Sequence, residues 1–245
     1  DFRMNQFKNA LQRILNLKVP PLLNPLYLIT KIKNKKIIKN KFEFENNLYN
    51  RTSFITKCLT RFNFDNAKYL EIGVCTNDVF NAIPLKISNK IGVDPQRGGT
   101  HRMTSDSFFE KNKEMFDVIF IDGLHLYSQC QKDCINSLKF LKDDGFIIFH
   151  DFLPRNAYEE NVPPKQKEWS GDIWKVAVEI NNSLNKDFII VNIDRGVGIL
   201  KPQKDFKYKF MSNLQNMDFD DFYKIYYSRL PIVNCNEAFK FIEKK

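Results

Sequence analysis

The residues best able to do chemistry in this chain are Glu71, Gly73, Asp94, Asp122, His125, His150 and Asp151. All stand inside, at the end of, or just beyond short apolar runs: YLEIGV at 69–74, KIGVD at 90–94, DVIFID at 117–122 and GFIIFHD at 145–151. Runs of this kind read as buried strands, and ligands of open α/β sheets gather at strand carboxyl ends. Asp94 lies 21 residues beyond Gly73, a spacing at which an acid can take the two hydroxyls of an adenosine ribose. An ordinary turn acid is the competing reading of Asp94. After Gly73 come Val74, Cys75, Thr76, Asn77 and Asp78, so G-x-G-x-x-G is absent. A pyrophosphate needs close backbone approach to several glycines, which argues against NAD or FAD and leaves a nucleoside without phosphates.

Asp122 and Asp151 end consecutive strands joined by one crossover, so they are expected side by side, about 4.8 Å apart in the sheet direction. Two carboxylates and an imidazole suit a divalent cation with open water positions. His125, three residues past Asp122, can face such a cation, and its neutral ring can accept a proton near pH 7. Taken singly, each has a plainer reading: a strand-end Asp as a helix cap, His150 as a buried, hydrogen-bonded ring. Three strand-end positions together favour the site.

The elements that must hold these residues follow from periodicity. The stretch 48–62 reads as a helix with Phe54, Ile55, Cys58 and Leu59 on one face, and 126–141 is long enough for a crossover helix. Two further runs, FIIVNID at 188–194 and GVGIL at 196–200, are too close for a crossover and must pair antiparallel. The expectation is a doubly wound, mostly parallel α/β sheet whose last strand is reversed.

Of the 245 residues, 43% are apolar and 27% charged, a globular balance that needs no disulfide or structural metal. No apolar run reaches the roughly 18 residues of a membrane span. Five scattered cysteines (Cys58, Cys75, Cys130, Cys134 and Cys235) contain no C-x-x-C pair, and they suit a reducing cytoplasm. The net charge of +9 resides wholly in residues 1–42, and the remaining chain is neutral. A domain-wide nucleic-acid groove is therefore not expected. Within the basic segment Phe7, Leu11, Ile14 and Leu15 share a helical face, followed by Pro20, Pro21, Pro25 and a lysine-rich stretch. Two readings stay open: a basic arm resting on an anionic membrane surface or polyanion, or a solvated or packed Lys-rich extension.

The runs YLEIGV, IGVDP, TSDSFF, DVIFIDGLHLYSQCQKD, GFIIFHDFLP and GDIWK, in that order, resemble the class I S-adenosylmethionine (SAM)-dependent methyltransferases. Within them the chain is similar to bacterial sugar O-methyltransferases related to the macrocin type, over about residues 50–200. The resemblance implies a seven-stranded Rossmann-like sheet and SAM as cofactor, with Glu71 and Gly73 bordering the methionine and Asp94 on the ribose. Ser105 and Asp106 would flank the adenine, and Asn77 stands near the place of the usual second glycine. Asp122 would serve both cofactor and catalysis, His125 would be the base, and Asp122, His150 and Asp151 would hold a divalent cation (Mg, Mn or Ca). His150 departs from the acid usual at its position. Tyr158, Trp169, Asp172 and Trp174 are candidates for the acceptor side, Trp174 more as core. The implied reaction is methyl transfer to a sugar hydroxyl, of a nucleotide-linked sugar used in surface polysaccharide. Other acceptors (a phenol, an amine, a phosphoramidate), an inactive SAM-fold binding protein and a nicotinamide oxidoreductase are the rivals. The expected organisation is a basic arm over 1–46, a catalytic domain over 47–204 and a helical extension over 205–245, with oligomerisation left open.

Overall fold

The computed structural model describes residues 39–244, so the helical face expected at Phe7, Leu11, Ile14 and Leu15 lies outside the described residues. A seven-stranded sheet has the order β2-β1-β3-β4-β6-β5-β7. Its strands are β1 (Tyr69–Ile72), β2 (Lys90–Val93), β3 (Phe116–Ile121), β4 (Leu141–Phe149), β5 (Leu184–Val191), β6 (Val197–Lys207) and β7 (Ile232–Val233). Neighbours run parallel except around β6, which is antiparallel to both β4 and β5. The reversed hairpin strand is thus the one the close spacing required. β7 pairs parallel with β5 at the far edge and comes from a segment that reads as helical in sequence.

Alternation sorts the strand side chains between two cores. Ile119, Ile121, Ile147 and Phe149 face one side, where α3 (Ser105–Lys111), α4 (Tyr127–Lys139) and α6 (Trp174–Asn182) cover them. Val118, Phe120, Phe146 and Ile148 face the other, covered by α1 (Arg51–Leu59), α2 (Asp78–Ala82) and α8 (Cys235–Glu243). Two short helices, α5 (Ala157–Glu160) and α7 (Phe219–Asp221), lie in the connections. Because β3 is buried along its whole length, only its end residue can carry exposed polar chemistry. Helix α1 starts at Asn50, whose side chain accepts from Ser53 N while Ser53 returns the bond, and it buries the four residues expected.

From β1 the chain passes to β2 on one side and returns to β3 on the other. Such a reversal opens a crevice at the carboxyl ends of β1 and β3. Residues 39–46 cross near that end as an extended strap: Lys41 N donates to Arg155 O, and Glu45 N to Asn192 O, both at 2.9 Å. No helix of the described residues is long and apolar enough to cross a membrane.

Candidate functional site

Parallel pairing of Ile121 with Phe149 brings Asp122 and His150 out of the sheet as neighbours. Asp151 follows with φ +64°, a left-handed backbone that turns its carboxylate into the same crevice. His125 comes from the loop before α4. Its Nδ1 lies 3.0 Å from the carbonyl oxygen of Trp169, which can only accept, so Nδ1 carries the hydrogen. In its neutral form the ring presents a lone pair at Nε2, which lies 3.4 Å from Asp122 Oδ1 and 3.3 Å from Asp151 Oδ2. Three electron-rich atoms within 4.8 Å of one another require a proton or a cation between them. Gly171, at φ +69°, lets this loop close on His125, since a Cβ there would lie 1.9 Å from the His125 carbonyl oxygen.

His150 is almost wholly buried, with Nδ1 3.3 Å from Asp122 Oδ1 and 3.2 Å from Asp151 Oδ2. Nε2 lies 3.3 Å from Asp194 Oδ1. Burial opposes a charge on this ring, but Asp151 and Asp122 outweigh it and hold the His150 pKa well above the usual value. The donor atoms that converge within 4.8 Å of one another belong to Asp122, His125 and Asp151, so His125 stands with the two carboxylates expected to hold a cation, and His150 lies directly behind them. Burial alone would raise the Asp122 pKa; the neighbouring His150, through its charge and its hydrogen bond, and the Arg51 guanidinium hold it well below the carboxylate range.

Three neighbours escape the sequence reading. Arg51, the first residue of α1, forks Asp194 through Nε at 2.8 Å and Nη2 at 3.0 Å, and reaches Asp122 Oδ2 with Nη1 at 3.0 Å. Arg195 Nη1 stands 3.6 Å from Asp151 Oδ1, a buried oxygen with no hydrogen-bond donor among the described residues. Asp194 had a signal, since it ends the 188–194 run as Asp122 ends 117–122. Nothing local marks Arg51, 71 residues from its partner Asp122.

The cofactor candidates assemble on the adjoining loops. Gly73, at φ +89°, packs against the Asp122 backbone, where a Cβ would lie 2.1 Å from the carbonyl oxygen. Asp94 Oδ2 accepts from Cys75 N at 3.0 Å, and Oδ1 accepts from Gln96 N and Arg97 N at 2.8 and 2.9 Å. It is a turn acid that also ties the β1 loop to the β2 loop, and Oδ2 keeps a lone pair for a ligand hydroxyl. Asn77, at φ +68°, fastens the same two loops through Gly99 N, 2.7 Å from its Oδ1. Ser105 and Asp106 open α3 and share Gln129 Nε2 of α4, at 3.3 and 3.1 Å. Glu71 is buried under the β1 end with the Tyr69 hydroxyl donating to it at 2.8 Å. Burial is the main cause that pushes its carboxyl up to about 8.

On the acceptor side, the Trp169 ring lies beside His125, with centroids 5.2 Å apart. Tyr158 sits in α5, whose capping residue Asn156 donates to Asn40 of the strap. Asp172 is taken out of contention: Oδ1 accepts from Tyr127 N at 2.7 Å, where α4 begins, and Oδ2 pairs with buried Lys175 at 3.1 Å. Trp174 is fully buried core.

Residues 86–152, which include Asp94, Ser105, Asp106, Asp122, His125, His150 and Asp151, match the protein family described as a methyltransferase domain. The chain is similar at 12% identity to an O-methyltransferase from Bacillus cereus in complex with SAH, covering 82% of this chain and 100% of that one with a TM-score of 0.44. It is similar at 12% identity to the SAH-bound methyltransferase PaMTH1 of Podospora anserina, covering 77% and 100% with a TM-score of 0.43. Similarity to the MycE methyltransferase of the mycinamycin biosynthetic pathway, in complex with Mg and SAH, is 13% over 66% of this chain and 52% of that one, TM-score 0.43. No curated protein matches the chain. The sheet order with its single reversed strand, together with the matched segment, defines the fold as that of the class I SAM-dependent methyltransferases.

Proposed function

We propose that this protein is a SAM-dependent O-methyltransferase that methylates a sugar hydroxyl, of a nucleotide-linked sugar destined for surface polysaccharide. The observation that carries the chemistry is His125, whose Nδ1 is committed to Trp169 O and whose Nε2 faces Asp122 and Asp151. The sugar class rests on the sequence resemblance. In the reaction the acceptor oxygen forms its bond to the methyl carbon as the carbon–sulfur bond breaks. The electron pair goes to sulfur, leaving SAH, and the hydroxyl proton goes to His125 Nε2. Asp122 and Asp151, each near 3.3–3.4 Å, stabilise the imidazolium that results. Gly73, Asp94, Ser105 and Asp106 are the proposed SAM contacts, and Trp169 orients both base and acceptor.

The donor set also fits a divalent cation: two carboxylate oxygens and one imidazole nitrogen converge, and Asp151 lacks a donor on its other oxygen. Asp122, His125 and Asp151 would hold it, and it would supply Lewis-acid polarisation of the acceptor hydroxyl. His125 Nε2 fills one of these roles at a time. The five cysteines are free, in keeping with a cytoplasmic site of action.

The test is mass spectrometry of products from SAM and a panel of nucleotide sugars, phenols and amines. A product heavier by one methyl on a sugar oxygen is expected. Methylation confined to phenols or amines would overturn the acceptor class, and failure of the folded protein to bind SAM would overturn the activity.

A further inference from the structure

The turn joining β5 to β6 is built against backbone preference. Gly196 N donates to Ile193 O at 2.7 Å, and the two residues inside that turn, Asp194 and Arg195, have φ of +46° and +62°. Turns with two positive φ values ordinarily take Asn-Gly or Gly-Gly, because a Cβ crowds the backbone there. Arg195 thus occupies a position where glycine would sit without strain. The surroundings hold it there: Leu153 N donates to Arg195 O at 2.8 Å, Phe152 N donates to Gly196 O at 3.2 Å, and Gly196 packs directly against Leu153. That clamp begins one residue after Asp151, itself at positive φ. Strained non-glycine residues persist where the surrounding structure over-determines them, and they cluster at ligand sites.

The two arginines of the crevice differ in what they hold. Arg51 spends Nε, Nη1 and Nη2 on Asp194 and Asp122, with Nη1 also 3.2 Å from His150 Nδ1. The Arg195 guanidinium makes no hydrogen bond among the described residues, and 22% of its side chain is exposed. It lies beside Asp151 Oδ1, the opposite oxygen of the carboxylate whose Oδ2 faces His125. A planar fork of donors at that place suits a carboxylate or phosphoryl group.

We propose that Arg195 binds an oxyanion of the methyl acceptor, so that the acceptor carries a carboxylate or phosphoryl group near the hydroxyl that reacts. This rests on the methyl-transfer reading for its meaning, but the anion site is testable without turnover. Thermal unfolding of the full chain is followed in inorganic phosphate, in acetate and in chloride at matched ionic strength. The wild type, R195Q, R195G and the distant surface control K86Q are compared. R195G keeps a residue suited to the turn, so it separates lost anion binding from a collapsed turn. At phosphate several-fold above its Kd, the wild type and K86Q should gain about 2–4 °C over chloride, and both Arg195 variants should lose more than half of that gain. The larger of the phosphate and acetate shifts identifies the anion. An equal gain in the wild type and both Arg195 variants, or no gain in the wild type, overturns the proposal. Calorimetric SAM binding on the same samples is expected to be equal in the wild type and R195Q. Its absence from the wild type would overturn the methyltransferase reading and leave the anion result standing.

Discussion

The carbonyl oxygen of Trp169 lies 3.0 Å from His125 Nδ1, and this one contact fixes which nitrogen of the ring can take a proton. The carbonyl belongs to the connection before α6, so the acceptor-side loop sets the tautomer of the base. His125→Ala should lower kcat by ~10²–10⁴-fold while leaving SAM affinity nearly unchanged, as removal of a general base does. Steady-state kinetics beside SAM calorimetry decide it. Wild-type turnover in the variant would remove His125 from the mechanism.

Chelation separates the two roles of Nε2. If a cation sits between Asp122, His125 and Asp151, exhaustive EDTA treatment should abolish turnover and Mg²⁺, Mn²⁺ or Ca²⁺ should restore it. Asp151→Ala should then abolish that restoration. Full activity after EDTA, unaffected by added cation, would leave His125 as a base backed by two carboxylates alone.

Much of this site was legible because the strands that carry it are buried on both faces. Residues 118–121 of β3 and 146–149 of β4 read as unbroken apolar runs, so Asp122 and the His150–Asp151 pair that follow them stood out. A single crossover places the ends of β3 and β4 together, but the register sets Asp122 beside His150 rather than Asp151, and the Asp151 carboxylate joins them through its left-handed backbone. The surroundings of His150 were not legible, because Asp122 and Asp194 reach its two ring nitrogens only on folding. Arg51 was hidden by sequence distance, and β7 by having only two residues. Asp172 looked like acceptor chemistry, yet its carboxylate is absorbed by a helix terminus and Lys175. A polar residue in a loop declares its chemistry only when its partners are known.

Asp94→Ala should weaken SAM binding by about 1.5–3 kcal/mol, the range for hydrogen bonds to a charged group. The variant also frees Cys75 N, Gln96 N and Arg97 N, so the two loops lose their tie. Asp94→Asn keeps an acceptor for that tie and should fall between wild type and alanine. Calorimetry showing all three equal would exclude Asp94 from the cofactor site.

Stability should fall as pH rises from 5 to 8, and Glu160 is one identifiable cause. Burial pushes its carboxyl up to about 7 despite the Trp174 indole N–H, 3.3 Å away. Between the unfolded value near 4.5 and about 7 the folded state holds the proton more tightly, so stability is lost across that window and no further above it. Glu160→Gln keeps an acceptor for Trp174 and carries no charge. It should match wild type near pH 5 and exceed it by about 1–3 kcal/mol at pH 8 in urea unfolding. A difference that is the same at both pH values would exclude Glu160 as the source.

The strap at 39–46 divides the basic segment into a part that touches the domain and a part outside the described residues. Phe42 stacks on Tyr227 with centroids 4.5 Å apart, and the Arg155 guanidinium lies 5.2 Å over the Phe44 ring. Asn156 Nδ2 donates to Asn40 Oδ1 at 2.7 Å, and the backbone of Lys41 and Glu45 reaches Arg155 and Asn192. The strap thus joins the acceptor-side loop, the β5–β6 hairpin and the C-terminal segment. Removing residues 1–38 should leave thermal stability, SAM affinity and turnover within a few-fold of wild type. Removing 1–46 takes away two aromatic contacts, each worth on the order of 1.5–3 kcal/mol if fully buried and less here. That deletion should lower Tm by several degrees and raise the acceptor KM more than it weakens SAM binding. If the shorter deletion already abolishes turnover while SAM still binds, the first 38 residues contribute to the acceptor site. If the longer one changes neither Tm nor KM, the strap holds nothing in place.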